Sequence, residues 1–241
     1  MYRCPACRCE ILLQQNGFYC TCGQHFAMCE GIIQFVEDKN TKTWDKYWKR
    51  IPVYDSVLDL LRKIMNLQLK KYLKKFASIN AKTLEPGGGS AYVSAMLIDE
   101  GREAYALDYA LAPLKLAQQQ LKSKAVLIQG DMFNMPFSDE VFDVTFNNST
   151  MEHFPRERAL AGVREMTRVT KKGGYVFVGV PFTYGPLCLY KLKKNSFKGA
   201  WDGKTYDRKE LKKLFADAGL EVAHCRTFFF RCFVGVMGKK I

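Results

Sequence analysis

The stretch Thr83-Leu84-Glu85-Pro86-Gly87-Gly88-Gly89-Ser90-Ala91 sets three consecutive glycines between a short apolar run and a helical pattern. Residues without side chains at that junction let the backbone turn tightly and come close to a ligand at the start of the helix. Glycine alone is a weak sign, because tight turns use it with no ligand bound. Two carboxylates strengthen it. Asp108 follows a second apolar run, 19 positions beyond Gly89, and Asp131 follows a third after Gln129-Gly130. In a doubly wound sheet three such strand ends share one edge, where ligands bind, and a carboxylate at the spacing of Asp108 can accept from a ribose diol. Taken singly, Asp108 reads equally well as a cap before Ala110, and Asp131 as a turn residue before Met132. Their coincidence at consecutive strand ends favours a ligand.

Outward from the loop, short apolar runs alternate with helical patterns. Strands are predicted at 82–86, 103–107, 125–129, 142–146 and 175–180, and helices at 90–100, 110–122, 156–170 and 207–218. Gly101, Gly173-Gly174 and Gly219 follow three of those helices, where a helix stop belongs. The alternation predicts a doubly wound α/β fold with helices on both faces of a mostly parallel sheet. Two β-rich runs in the tail, between Leu220 and Met237, look like closing strands and bring the sheet to seven. Before this unit, apolar residues from Leu58 to Phe76 recur at three- and four-residue steps, marking one helix face opposite Arg62, Lys63, Lys70, Lys71, Lys74 and Lys75. Such a helix is either packed with a solvated basic side or a surface for RNA or anionic lipid.

Six of the nine cysteines lie in the first 29 residues: Cys4, Cys7, Cys9, Cys20, Cys22 and Cys29. Cys4-Pro5-Ala6-Cys7 and Cys20-Thr21-Cys22, 12 residues apart, are paired turns of the kind that surround a tetrahedral zinc. The one-residue gap of the second pair leaves His25 as an alternative ligand to Cys20 or Cys22. So short a segment cannot bury enough apolar surface to fold alone, and a structural metal would supply the missing stability. The expected division is a zinc knuckle over residues 1–37, a linker and helical cap over 38–80, and the α/β domain over 81–241. Cys188, Cys225 and Cys232 sit among apolar neighbours and are expected in the core.

Composition is ordinary for a globular chain, with 48% hydrophobic and 25% charged residues, which argues against disorder. No apolar run reaches membrane-spanning length; Phe228 to Met237 is short and broken by Arg231. Arg3, Cys4 and Arg8 stand where a signal peptide would be apolar, so a soluble, cytoplasmic protein is expected. The net charge of +13 attracts polyanions and raises RNA as a partner, against the bland alternative of a merely basic surface. Part of that charge lies in Lys191, Lys193, Lys194 and Lys198. A nicotinamide or flavin dinucleotide is disfavoured. Its fingerprint needs a third glycine three positions after Gly89, and that position is Tyr92.

Four stretches together resemble the class I S-adenosylmethionine-dependent methyltransferases, especially the small-molecule group related to quinone-biosynthesis methylases. They are Thr83–Ala91; Ala106-Leu107-Asp108-Tyr109; Gly130-Asp131-Met132 with Met135-Pro136-Phe137 and Phe142-Asp143-Val144; and Arg168–Tyr175 with its Gly173-Gly174 turn. The resemblance implies a Rossmann-like fold. It implies that Glu85, Gly87, Gly88 and Gly89 shape the methionine side of the cofactor site, that Asp108 and Tyr109 bind the ribose side, that Asp131 and Met132 line the adenine pocket, and that Asn147 and Asn148 lie near the sulfonium. Glu85 replaces the family's usual aspartate, Ala91 its last glycine, and Lys172 a common proline. Methyl transfer from a sulfonium needs alignment more than acid–base help, so a base matters only if the acceptor must lose a proton. His153, after Glu152, is the nearest candidate. The N-terminal segment also resembles the zinc knuckle of bacterial ribosomal RNA guanine methyltransferases, with a cysteine pair, a further cysteine and Glu30-Gly31-Ile32. The acceptor is therefore expected to be a small molecule, with an RNA base as the alternative; a non-catalytic nucleic-acid-binding module on the same scaffold is a further reading.

Overall fold

The computed structural model describes residues 1–14, 17–36, 56–121, 124–186, 188 and 203–241. Residues 38–55 of the predicted linker and cap, and Lys191–Lys198, lie outside the described residues.

The predicted strands form where the apolar runs stand. They are β5 (Lys82–Pro86), β6 (Glu103–Asp108), β7 (Val126–Gln129), β8 (Phe142–Asn148) and β9 (Thr170–Pro181), all paired in parallel in the order β7-β6-β5-β8-β9. The tail supplies β10 (Leu220–Phe228) and β11 (Phe233–Lys240). Both are antiparallel, and β11 is inserted between β9 and β10. The helices are α1 (Ser56–Leu73), α2 (Tyr92–Ile98), α3 (Leu111–Leu121), α4 (Arg156–Val169) and α5 (Arg208–Asp217). Alternation along each strand sends neighbours to opposite faces. Leu84, Tyr105, Leu107 and Ile128 join α4 and α5 in the largest core cluster. Ala106 and Leu127 meet α3 on the other side, and Val144 and Phe146 meet α1 and α2 there.

The sheet is larger than the expected seven strands. Among the described residues it has eleven, because the cysteine-rich segment contributes β1 (Ile11–Gln14), β2 (Gly17–Cys20), β3 (His25–Cys29) and β4 (Ile32–Gln34). These four form an antiparallel meander, and β4 pairs in parallel with β7, register Ile32 to Leu127. The extension covers backbone groups that would otherwise be exposed on the edge strand β7. Nor is the segment a separate body. Tyr2, Phe18, Phe26 and Phe35 form an aromatic cluster with Phe137, and Cys4, Ile11 and Phe18 belong to the same core as α4. No described helix is long and apolar enough to cross a membrane. Cys188 is buried, while Cys225 and Cys232 are only partly so.

Candidate active site and thiol cluster

Beyond Pro86 the chain turns under its own hydrogen bonds. The Gly87 and Gly88 amides both donate to Leu107 O at the end of β6, at 2.7 and 3.3 Å. Gly87 (φ 66°) and Gly89 (φ 53°) are left-handed, a region side chains disfavour. A Cβ on Gly87 would stand 2.7 Å from Thr150 Cγ2, so this glycine is required by space as well as by conformation. Ala91, standing where the family has glycine, also has positive φ (50°). Its methyl group is fully buried against Ala106, Leu114 and Ala117, which offsets the strain.

The carboxylates converge on this loop. Asp108 Oδ2 accepts from the Gly89 amide and its Oδ1 from the Ala110 amide, both at 2.9 Å. It therefore caps the next segment, as the plain reading had it, and also ties the glycine loop to β6. Glu85 lies under the loop, nearly wholly buried, with Oε2 accepting from Ser94 Oγ at 2.6 Å and Ser94 N at 3.2 Å. Burial pushes its pKa up to about 7 against the pull of the Ser94 hydrogen bonds, and the nearby Asp108 charge adds to the rise. Asp131 Oδ1 accepts from the Phe133 amide and shapes the turn after β7.

These groups border a single cavity of about 590 Å³ at the C-terminal ends of β5, β6 and β7, the size of a cofactor or substrate site. Its walls include Glu85, Gly87–Gly89, Asp108, Tyr109, Asp131, Met132, Asn148 and His153, so it gathers most of the residues singled out in the sequence. Asn147 is the exception. Its side chain is buried behind the loop, with Nδ2 donating to Pro86 O at 2.6 Å, and it does not border the cavity. Alternation along β8 explains this, because only one of two successive residues can face the site.

Several wall residues carried no motif. Thr150 Oγ1 donates to Gly87 O at 2.9 Å, and Met65 reaches the cavity from α1. Arg158 stacks on Phe133 at 4.3 Å, beside Phe154. Tyr92, noted in the sequence only as a missing glycine, is itself a wall residue. Asn147 Oδ1, Asn148 Oδ1 and Ser149 Oγ are buried with no hydrogen-bond partner among the described residues. Glu152, one residue before His153 in a short 3-10 turn (Met151–His153), is also buried, its Oε2 without a partner among the described residues. Burial pushes its pKa up to about 8.

At the other end of the sheet the Sγ atoms of Cys4, Cys7, Cys20 and Cys22 all lie within 4.8 Å of one another. Cys4 and Cys22 are 3.7 Å apart, and Cys7 and Cys20 are 3.3 Å apart. The Cys22 backbone N–H draws the Cys20 thiol down to about 7. The alternative ligand His25 is not in this group; it is exposed, and its ring packs on Tyr19 at 4.4 Å. Cys9 and Cys29 are also outside it.

Residues 84–178 match the family model described as a methyltransferase domain. Over those residues the chain is similar to methyltransferase domains. Among curated relatives, it is 32% identical over 179 residues to the biotin biosynthesis bifunctional protein BioHC of Cellvibrio japonicus, covering 70% of this chain and 34% of that one. It is 27% identical over 129 residues to a demethylmenaquinone methyltransferase of Paenarthrobacter aurescens, covering 53% of this chain and 50% of that one. The chain therefore spans only about a third to a half of the length of these relatives. The fold is shared with magnesium protoporphyrin IX methyltransferase of Synechocystis, solved with bound SAH. The TM-score is 0.65 at 15% identity, covering 83% of this chain and 96% of that one.

Proposed function

We propose that this chain transfers the methyl group of S-adenosylmethionine to a small-molecule acceptor, and that Cys4, Cys7, Cys20 and Cys22 hold a structural zinc. One observation carries the first part: the glycine loop, Asp108 and the Asp131 turn converge on one cavity at consecutive strand ends. The residues fit the cofactor. Gly87 leaves no room for a Cβ against Thr150 and Asn147, so only glycine lets the loop take this tight path beside the cavity, and Asn148 Oδ1 and Ser149 Oγ, unpartnered among the described residues, offer buried acceptors at the same site.

In this reading the glycine loop accommodates the methionine part, Asp108 with Tyr109 the ribose, and Asp131 with Met132 the adenine. S-adenosylmethionine supplies an already activated methyl group. The protein's part is to align the acceptor and keep water out. Asn148 and His153, on the wall beyond β8, are the residues proposed to face the acceptor, with His153 available to take a proton if the acceptor must lose one.

Two observations favour a small acceptor over RNA. Relatives named for demethylmenaquinone and phthiotriol substrates match this chain. The basic charge of α1 and of the turn after it is partly neutralised, because Lys70 in α1 and Lys74 just past its end pair with Glu100 at 2.9 and 2.6 Å. For the metal, four thiolates each about 2.3 Å from a tetrahedral zinc would stand about 3.8 Å apart. The observed 3.7 Å between Cys4 and Cys22 suits that geometry.

The test is transfer of label from methyl-labelled S-adenosylmethionine into fractions of a cell extract. Label should appear among small metabolites, and Asp108→Ala should cut both transfer and affinity for S-adenosylhomocysteine, the latter by roughly 1.5–3 kcal/mol. Label entering only RNA would overturn the acceptor class. Absence of cofactor binding would overturn the whole reading.

A further inference from the structure

The segment after β7 has two halves. Asp131–Phe133 forms part of the cavity wall, and Asn134–Ser138 is clasped residue by residue by the first eight residues of the chain. Asn134 Nδ2 donates to Pro5 O at 3.1 Å. Arg8 Nη1 donates to Met135 O at 3.1 Å. The Arg3 amide donates to Pro136 O at 3.1 Å, Tyr2 bridges and stacks on Phe137, and the Ser138 amide donates to Met1 O at 2.8 Å. Pro5 lies between Cys4 and Cys7, and the Arg8 amide closes the same turn on Cys4 O at 2.8 Å. The turn that presents two of the four clustered thiols is thus the same turn that grips the cavity-wall segment.

We infer that Arg8 is a positioning residue for the cofactor. Through Met135, the first thiol turn holds Asp131–Phe133 in its binding arrangement. Arg8 has the hydrogen-bonding reach for this. Its guanidinium also lies 3.6 Å from Glu165 Oε1. That same oxygen accepts the Met135 amide at 2.7 Å, so both polar groups of the Met135 backbone are held. Arg168 completes the arrangement, donating to Glu165 and to Met135 O. Asp131 in turn sets the rest of the loop, with its carboxylate on the Phe133 amide and its carbonyl on the Asn134 amide. Met135 follows Asn134 directly in the chain, so its movement is passed on through the backbone to Asn134 and Phe133, whose amides are tied to Asp131. The inference rests on the proposed adenine side of the cavity but not on the identity of any metal.

The experiment is calorimetric titration of the full-length protein with S-adenosylhomocysteine, together with amide hydrogen exchange. Arg8→Ala should weaken binding about five- to twentyfold, less than the roughly tenfold to hundredfold of a charged hydrogen bond lost at the ligand itself, because Arg168 still donates to Met135 O. Exchange should quicken at 131–138 and stay unchanged at 87–91. Arg8→Lys, which keeps a charged donor, should restore part of the affinity; a merely structural loss would not be rescued in this way. Asn134→Ala, which releases Pro5 from the far side of the turn, should show the same pattern and keeps the test open if Arg8→Ala folds poorly. Wild-type binding with both alanine variants within twofold of it would overturn the positioning role alone. Wild-type protein that binds no S-adenosylhomocysteine would overturn the cofactor reading and this role with it.

Discussion

Adding one methyl group at Gly87 tests the loop directly. In Gly87→Ala the new carbon would sit 2.7 Å from Thr150 Cγ2, 3.1 Å from Thr150 Oγ1 and 3.2 Å from Asn147 Nδ2. Two costs add. Holding an L-residue at φ 66° costs about 1–2 kcal/mol. Forcing a methyl group into filled space costs about 1–3 kcal/mol more. The folded loop is therefore penalised by about 2–5 kcal/mol. Asn147 is pinned by its bond to Pro86 and Thr150 by its bond to Gly87 O, so neither can step aside without breaking a hydrogen bond. The loop escapes most cheaply by opening, which spoils the cradle. Affinity for S-adenosylhomocysteine should fall at least tenfold in calorimetry, with a smaller fall in the urea midpoint. Gly23→Ala is the matched control, because Gly23 is equally left-handed (φ 88°) with nothing within 4 Å of its Cβ, so it should lose about 1–2 kcal/mol of stability and no affinity. Adding Thr150→Ser to Gly87→Ala removes the 2.7 Å clash while keeping the hydroxyl, and should recover part of the affinity. If Gly87→Ala bound the ligand as tightly as wild type, the claim that the cavity is built around this glycine would be wrong.

Two further outcomes follow from other parts of the molecule. Glu152 has a folded pKa raised to about 8, so between pH 4.5 and 8 the unfolded chain holds fewer protons than the folded one and stability falls as pH rises, by at most about 1.4 kcal/mol per pH unit for this one group. Glu152→Gln should flatten that fall in denaturant titrations run from pH 5 to 8; an unchanged slope would mean the carboxyl is not held protonated by burial. Freshly purified protein should contain one zinc per chain by elemental analysis, and Cys4→Ser should lose it. Because Cys4 is fully buried in the main core and β4 joins the cysteine-rich strands to β7, that variant should lower the thermal midpoint of the whole protein, whereas an unfolding curve identical to wild type would mean the thiol cluster carries no stability.

What could be read in the residues, and what could not, divides by the range of the interactions involved. Strand and helix positions follow local alternation, so β5 and β6 fall where the apolar runs at 82–86 and 103–107 stand, and α5 begins after Asp207, which forms a capping box with Glu210. The carboxylates Asp108 and Asp131 were legible because the doubly wound topology brings strand ends together whatever the side chains between them. The four-strand extension was not legible. Strands of three to five residues such as β4, with only Ile32-Ile33-Gln34, carry too few positions to show a period, and the thiols that flank them read as turns. Arg158 and Thr150 were missed for a related reason, because each meets the cavity through a partner far along the chain and no motif marks the pair. Asn147 and Asn148 show the sharpest limit. Two identical neighbours in one motif are indistinguishable as sequence, yet strand alternation sends the amide nitrogen of the first to Pro86 O, behind the loop, and places the second on the cavity wall. An Asn148→Ala variant that loses cofactor or acceptor affinity, beside an Asn147→Ala variant that chiefly loses stability, would separate the two roles in the way that only the three-dimensional arrangement predicts.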